Sequence, residues 1–268
     1  MNILVCIKQV PDTTEIKIDP ETNRLIRDGV PSIVNTFDKF ALEAAARVKD
    51  KNNEVQIYVV SMGPPQAKEA LRECLAIAAD KAYLVTDRAF GGSDTLATSY
   101  ILSQAVKKIE SENGIRFDAI LCGKQAIDGD TGQVGPEMAE HLNLSLLTYA
   151  LEVEDADDRI LVLREGQDAN EKWSIDKPAL ITFTKPSFEP RYPNIRRKML
   201  ANRAEIREIT LADLPEINSQ LIGLAGSPTR VKNSFVPKKH VNGVKIDHAS
   251  ADSAANTIVK LLHEEHIL

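Results

Sequence analysis

The feature that most constrains this chain is the regular alternation, through roughly its first half, of short apolar runs with patterns of helical period. Ile3 to Ile7 is apolar without interruption, so a strand there is buried on both faces, and such strands belong to parallel sheets covered by helices. Phe37, Phe40, Ala41, Ala44, Ala45 and Val48 recur at helical spacing behind Asn35 or Thr36, either of which can cap the helix. Val55 to Val60 reads as the second strand. Gly63-Pro64-Pro65 ends it, and proline is pre-set for the first turn of a helix through Ala67, Leu71, Leu75 and Ala78. Tyr83 to Val85 is the third strand. Ser93 caps a long helix carrying Leu96, Ile101, Leu102, Ala105, Val106 and Ile109 and closed by Gly114, and Ala119 to Cys122 is the fourth strand. This order predicts an α/β fold with a doubly wound, mainly parallel sheet.

Two departures from the alternation are expected. Glu15 to Asp19 and Arg24 to Arg27 flank Pro20-Glu-Thr-Asn23 and read as a small excursion hairpin. After about residue 145, Leu151 to Val153, Arg159 to Leu163, Trp173 to Ile175 and Leu180 to Phe183 read as successive strands joined by polar turns, which extend the sheet with additional antiparallel strands. Pro186, Pro190, Pro193, Pro215, Pro228 and Pro237 then punctuate the chain until a helix near Asp252 to His263. The division expected is an α/β domain over 1–205 and a long C-terminal arm over 206–268. A disordered tail is the other reading of the arm. Leu221, Leu224, Phe235, Val236, Val241, Val244 and Ile246 are apolar anchors that favour packing on a partner chain.

Composition excludes several classes. With 43% apolar residues the chain can build a sizeable core. A net charge of −6 argues against nucleic acid as the main partner. Cys6, Cys74 and Cys122 are odd in number and contain no CxxC pair, so neither a disulfide framework nor a thiolate metal site is expected, and a reducing cytoplasm fits. The N-terminus lacks the basic, apolar and small-residue regions of a signal peptide. No apolar run approaches the roughly 20 residues that membrane insertion requires. His263 and His266 stand about one helical turn apart, either as a metal-binding face or as a solvated C-terminal turn favoured by the helix dipole. No metal is assigned.

The segment Gly123-Lys-Gln125-Ala-Ile-Asp128-Gly129-Asp130-Thr131-Gly132-Gln133-Val134-Gly135-Pro136 follows the fourth strand and opens a helix over about Glu137 to Leu142. Its spaced glycines let backbone amides turn inward, and an anion there is stabilised by free N–H groups and the positive end of the helix dipole. A loop needed only for tight chain reversal explains the glycines as well, since the spacing matches neither common phosphate-loop pattern. Asp128 and Asp130 sit awkwardly beside a phosphate unless they cap the loop or accept from ribose hydroxyls.

The Gly123 to Pro136 run resembles the nucleotide loop of electron-transfer flavoprotein β subunits. So, in the same order and spacing, do Val5 to Val10, Asn35 to Asp38, Ser61 to Pro64, Ala78 to Ala82, Val162 to Glu165 with Glu171, and Pro178 to Thr182. Gln167 to Asn170 departs from the family's acidic or glycine-rich run. The resemblance implies an adenine-nucleotide fold of the adenine-nucleotide α-hydrolase-like (HUP) type. Cys6, Asn35 and Met62 would lie near adenosine, and Gly123, Gln125, Asp128, Gly129, Asp130, Thr131, Gly132, Gln133 and Val134 around ribose and phosphates. On residue type alone Cys6 is a buried core thiol in a strand, a reading compatible with a backbone contact to adenine.

Which nucleotide is bound is a separate question. Family members that hold AMP carry bulkier polar residues in the loop, where this chain has Gly129, Gly132 and Val134. The pattern is similar to electron-bifurcating members and their nitrogen-fixation relatives, whose β subunit holds FAD. Losing side chains opens space for a diphosphate to continue toward a flavin. The resemblance then implies a heterodimer with an α subunit that carries its own FAD, with NADH as donor. One electron would go to an acyl-CoA dehydrogenase and one to ferredoxin or flavodoxin. An ordinary electron carrier with structural AMP is the alternative.

Lys185 to Arg207 carries an excess of five positive charges in an acidic chain, by itself compatible with a solvated helix face. Pro190 to Ile195 lies where the resembled subunits carry a dehydrogenase-recognition loop, which implies Arg191, Tyr192, Ile195, Arg196 and Arg197 as the partner-binding set, with Ile195 the apolar anchor and the arginines the steering charge. A different class, an ATP-cleaving or adenylating enzyme, needs a loop that Gly91-Gly92-Ser93-Asp94 matches poorly. A nucleotide-sensing stress protein would lack the basic loop and the arm. No side chain is assigned as catalytic.

Overall fold

Each apolar run of the first half becomes a strand with a buried interior. A computed structural model describes residues 1–12, 31–232, 245 and 250–268. In chain order the elements are β1 (Asn2–Cys6), β2 (Gln9–Pro11), β3 (Ser32–Val34), α1 (Thr36–Lys51), β4 (Gln56–Met62), α2 (Lys68–Ile77), β5 (Lys81–Val85), α3 (Thr95–Asn113), β6 (Ala119–Gly123) and α4 (Val134–Leu142). There follow β7 (Ser145–Ala156), β8 (Arg159–Glu165), β9 (Asn170–Asp176), β10 (Ala179–Phe183), α5 (Ile195–Arg203), β11 (Arg207–Ile209), the short α6 (Gly223–Gly226) and α7 (Ala251–Glu264).

The main sheet runs β11-β5-β4-β1-β6-β10-β7-β8-β9. Pairing is parallel from β11 through to β7 and antiparallel for β7-β8-β9. One apolar layer packs α1 and α2 on one face, through Leu42, Ala45, Leu71 and Ile57, and another packs α3 and α4 on the other, through Leu4, Ile101, Ile109 and Met138. This is the doubly wound architecture that the alternation predicts. From β1 the chain builds outward to β4 and β5, then returns through α3 to place β6 on the opposite side of β1. The carboxyl ends of β1 and β6 therefore flank the point where strand order reverses, the position at which open α/β sheets form a ligand crevice.

Several details differ from expectation. β10 does not continue the β7-β8-β9 series but inserts between β6 and β7. Leu180, Ile181 and Phe183 are fully buried, and a strand apolar on both faces gains most in the sheet interior. The cap of α3 is Asp94, whose carboxylate accepts from the Ala97 N–H at 3.1 Å, while Ser93 donates its hydroxyl to the Phe90 carbonyl. Asn35 stands at the N-cap of α1 but makes no capping bond there. A short antiparallel ribbon of β2 and β3 leads into and out of the expected excursion, whose hairpin lies outside the described residues.

The main compact unit runs on to Lys232, past the boundary expected at 205, because Ile209 is fully buried in β11 against β5 and Leu214 and Ile222 pack into the α3 side of the core. The described C-terminal residues belong to a second unit. There α7 is capped by Ser250, which accepts from the Ser253 N–H, and its Ile258, Val259 and Leu261 are exposed. The helix ends at Glu264, so His266, in left-handed conformation beyond it, does not share a helical face with His263.

Candidate nucleotide site

The site is assembled at the carboxyl ends of three parallel strands, where Cys6 ends β1, Met62 ends β4 and Gly123 ends β6. Cys6 and Met62 are half-buried, and their side chains pack against the α3 side of the core. Cys6 lies 4.0 Å from the Met138 sulfur. A hydrogen bond with Cys6, together with burial, pushes the Cys122 thiol well above its ordinary range.

Glycine is required at two places on this rim. A Cβ at Gly123 would lie 2.4 Å from an Asp38 carboxylate oxygen, and one at Gly135 would lie 2.8 Å from the Thr182 methyl. Both let a helix approach the strand ends closely.

Between these fixed points the loop is held by side chains drawn from three elements. Asn35 is 1% exposed. Its side-chain nitrogen donates to the Gln125 carbonyl at 2.9 Å and to Asp38 at 3.0 Å, and its side-chain oxygen accepts from the Ile127 N–H at 3.1 Å. Asp128 pairs with the Lys8 ammonium at 2.7 Å, and Asp130 accepts from the Gln125 side-chain nitrogen at 2.7 Å. Of the two roles open to these aspartates, bracing the loop is the one that the geometry displays. The turn Ala126 to Asp130 closes through the Ala126 carbonyl, and Asp130 and Gly132 adopt left-handed φ of 51° and 66°.

That course leaves a cradle. From Thr131 to Gly135 the backbone amides find no protein acceptor among the described residues, and Pro136 has none to offer. These amides run into the first turn of α4, whose dipole is positive at this end. A Cβ at Gly129 would meet nothing within 4 Å. Gln133 occupies the N-cap of α4 and accepts from the Thr95 hydroxyl at 3.0 Å, which ties the cradle to α3. Glu137, one turn into α4, is pushed up by burial, and one of its oxygens has no hydrogen-bond partner among the described residues. Lys124 lies over the Phe37 ring at 4.9 Å, beside the loop entrance. An anion meets donors and a helix terminus here, with both neighbouring carboxylates already engaged. Two open hollows of about 320 and 330 Å³ lie elsewhere, along the C-terminal half of α1 and β7.

Asp38, Lys8 and Thr95 are not among the site residues expected from sequence, although Lys8 and Asp38 fall within the resembling runs Val5–Val10 and Asn35–Asp38. Asp38 left a signal: it is spaced three and seven residues before Ala41 and Ala45, so it interrupts the apolar stripe of α1 with a carboxylate.

The basic segment divides into two groups. Arg191 forms a fork against Glu43, at 2.8 and 3.0 Å, and reaches Asp50 at 2.6 Å. Arg197 donates to the Leu75 and Ala79 carbonyls that end α2. Both therefore bind the segment to its own domain. Tyr192, at 93% exposure, and Ile195, at 83%, project outward with Arg196, Met199 and Leu200.

Comparison with known proteins agrees with this architecture. The electron transfer flavoprotein domain family matches residues 22–214. The chain is 47% identical to the electron transfer flavoprotein subunit beta of Megasphaera elsdenii, over the whole of both chains. It is 44% identical to the caffeyl-CoA reductase-Etf complex subunit CarD of Acetobacterium woodii, again over the whole of both. It is 44% identical to protein FixA of Azotobacter vinelandii, over 89% of this chain and 85% of that one. The chain belongs to the electron transfer flavoprotein family, as one of its β subunits.

Proposed function

We propose that this β subunit holds FAD, in preference to AMP, in the crevice above β1, β4 and β6, and works in the cytoplasm as one half of an NADH-oxidising, electron-bifurcating heterodimer. The observation that carries the reading is the cradle itself. Among the described residues, five successive backbone positions from Thr131 to Gly135 have no internal acceptor, and open space lies above Gly129. The residues present fit a dinucleotide: Thr131 to Gly135 would receive phosphate oxygens, adenosine would rest at the strand ends that carry Cys6 and Met62 and beside Asn35, and Gly129 and Gly132 leave room for the second half of the ligand.

FAD held there would supply the redox chemistry, two-electron exchange with NADH and one-electron exchange with the FAD of the α subunit, which would serve an acyl-CoA dehydrogenase, and with ferredoxin or flavodoxin. The residues of this chain would bind and orient. Asn35 holds the loop at Gln125 and Ile127, and the Lys8–Asp128 and Gln125–Asp130 pairs engage both carboxylates. They would thus keep those carboxylates off the phosphates, toward which α4 would direct its positive end. The relative from Acetobacterium woodii, whose name places it in a caffeyl-CoA reductase complex, favours a CoA-ester dehydrogenase as one partner. Tyr192, Ile195 and Arg196 offer that partner an apolar anchor and a charge, with Arg191 and Arg197 holding the platform. The exposed apolar residues of α7 suit an arm that packs on the α subunit.

Anaerobic titration of the purified heterodimer with NADH tests the donor half of this account. Bleaching of the flavin absorbance without any dehydrogenase present supports it. A spectrum unchanged by NADH, but bleached by a reduced dehydrogenase, leaves an ordinary carrier with structural AMP.

A further inference from the structure

Among the described residues Asp38 is the carboxylate buried beneath the loop, and its bonds join the ends of β1 and β6 to Asn35. One oxygen accepts from the Lys8 N–H at 2.7 Å, just past the end of β1. The other accepts from the Gly123 N–H at 3.1 Å, at the end of β6, and from the Asn35 side chain at 3.0 Å. Asn35 in turn holds Gln125 and Ile127. All of these partners donate, which is the environment of an ionised carboxylate.

We infer that Asp38 is a positioning residue for the nucleotide loop: as an anion it draws the ends of β1 and β6 together and fixes the Asn35 amide in the orientation that grips the loop. The inference rests on the reading of that loop as a nucleotide site.

A protonated Asp38 has one oxygen that must donate, and the groups around it offer donors in return. The Asn35 amide can then rotate, and a rotated amide presents nitrogen to the Ile127 N–H in place of oxygen. The grip on the loop loosens while the core around it stays closed. Among the described residues the charged and titratable groups that act on Asp38 are the Lys8 ammonium, itself engaged by Asp128, the Cys74 thiol of α2 and the Cys122 thiol of β6; Lys39, next to Asp38 in sequence, pairs with Glu73 at 2.8 Å. Burial of the carboxyl outweighs its three hydrogen bonds and pushes it up to about 7, so the change of state falls near neutrality.

Two quantities then respond to pH in opposite directions. Burying the anion weakens the fold as pH rises, whereas the same ionisation tightens the loop and slows nucleotide release. A purely structural carboxylate would move both in the same sense.

The test uses the α/β heterodimer, with FAD and AMP release followed between pH 6 and 8.5 for the wild type and for Asp38→Asn, together with amide exchange at Ile127 and at the core residue Ile109. The expected result is wild-type release that slows several-fold as pH rises, release from the variant about tenfold faster and independent of pH, and faster exchange at Ile127 with Ile109 unchanged. Variant release with the wild-type rate and pH profile would overturn the inference and leave the nucleotide site standing. If the wild type holds no nucleotide on this subunit, the site reading falls and exchange at Ile127 alone decides the positioning role: acceleration in the variant supports it, and no change overturns it. Should the variant not fold, wild-type release that is flat with pH overturns it.

Discussion

The Asn35 side-chain oxygen accepts from the backbone N–H of Ile127 across 92 residues of sequence, which makes the first residue before α1 the anchor of a loop that follows β6. Each hydrogen bond in such a clamp contributes on the order of 1 kcal/mol net, and more is lost when a buried partner is left unsatisfied. Asn35→Ala orphans the Gln125 carbonyl and the Ile127 N–H together. The expected outcome is nucleotide retention weakened by about tenfold to a hundredfold, measured by ligand content after gel filtration, with the far-ultraviolet spectrum unchanged.

The glycines of the loop are expected to divide by mechanism. Gly135→Ala forces a Cβ to 2.8 Å from the Thr182 methyl and should cost about 1–3 kcal/mol in denaturant unfolding, the range for overpacking. Gly129→Ala meets nothing within 4 Å and should leave stability within about 0.5 kcal/mol of wild type. A larger Gly129→Leu change should also spare the fold yet displace the bound nucleotide, since its side chain enters the space assigned to the ligand. Unfolding and nucleotide content measured on the same samples separate the two effects.

Stability should carry the signature of Asp38. Its carboxyl titrates near 7 in the folded chain and near 3.8 in the unfolded one, so between these values the folded state binds more protons. The contribution is fully present below pH 4 and is lost as pH rises through 7. Wild-type stability relative to Asp38→Asn should therefore decline from pH 5 to pH 8, by no more than about 3 kcal/mol. A difference constant with pH would contradict the assignment.

In the basic segment, Arg191 and Ile195 should behave as opposites. Arg191→Ala leaves the buried Glu43 carboxylate without its fork and should lower unfolding stability by roughly 2–3 kcal/mol. Ile195→Ala removes an exposed side chain and should leave the melting temperature unchanged, while slowing electron exchange with the dehydrogenase partner. Stopped-flow reduction of the heterodimer by that partner, beside a thermal melt, reads both.

The fold was legible where burial on both faces left an unbroken apolar run, as in Ile3–Ile7 and Ala119–Cys122, and where Gly114 marked a helix end in left-handed conformation. Strand order was less legible. Leu180–Phe183 reads as a strand from its own residues, but its insertion between β6 and β7 is set by which slot buries most, and that depends on the other strands. Side-chain partners were least legible. Arg191 reads as a free steering charge until Glu43 and Asp50 are brought beside it by α1, and Asn35 reads as a helix cap until the loop from β6 arrives to take its amide. The loop stood out because its glycine spacing is local. Asp38, which holds that loop from beneath, acts through contacts 30 and 85 residues away in sequence.

The most direct measurement is the nucleotide content of the heterodimer. Purified with its α subunit, denatured in acid and resolved by chromatography, it is predicted to release two FAD per heterodimer and no AMP. One FAD with one AMP would contradict the central claim that this subunit carries a flavin of its own.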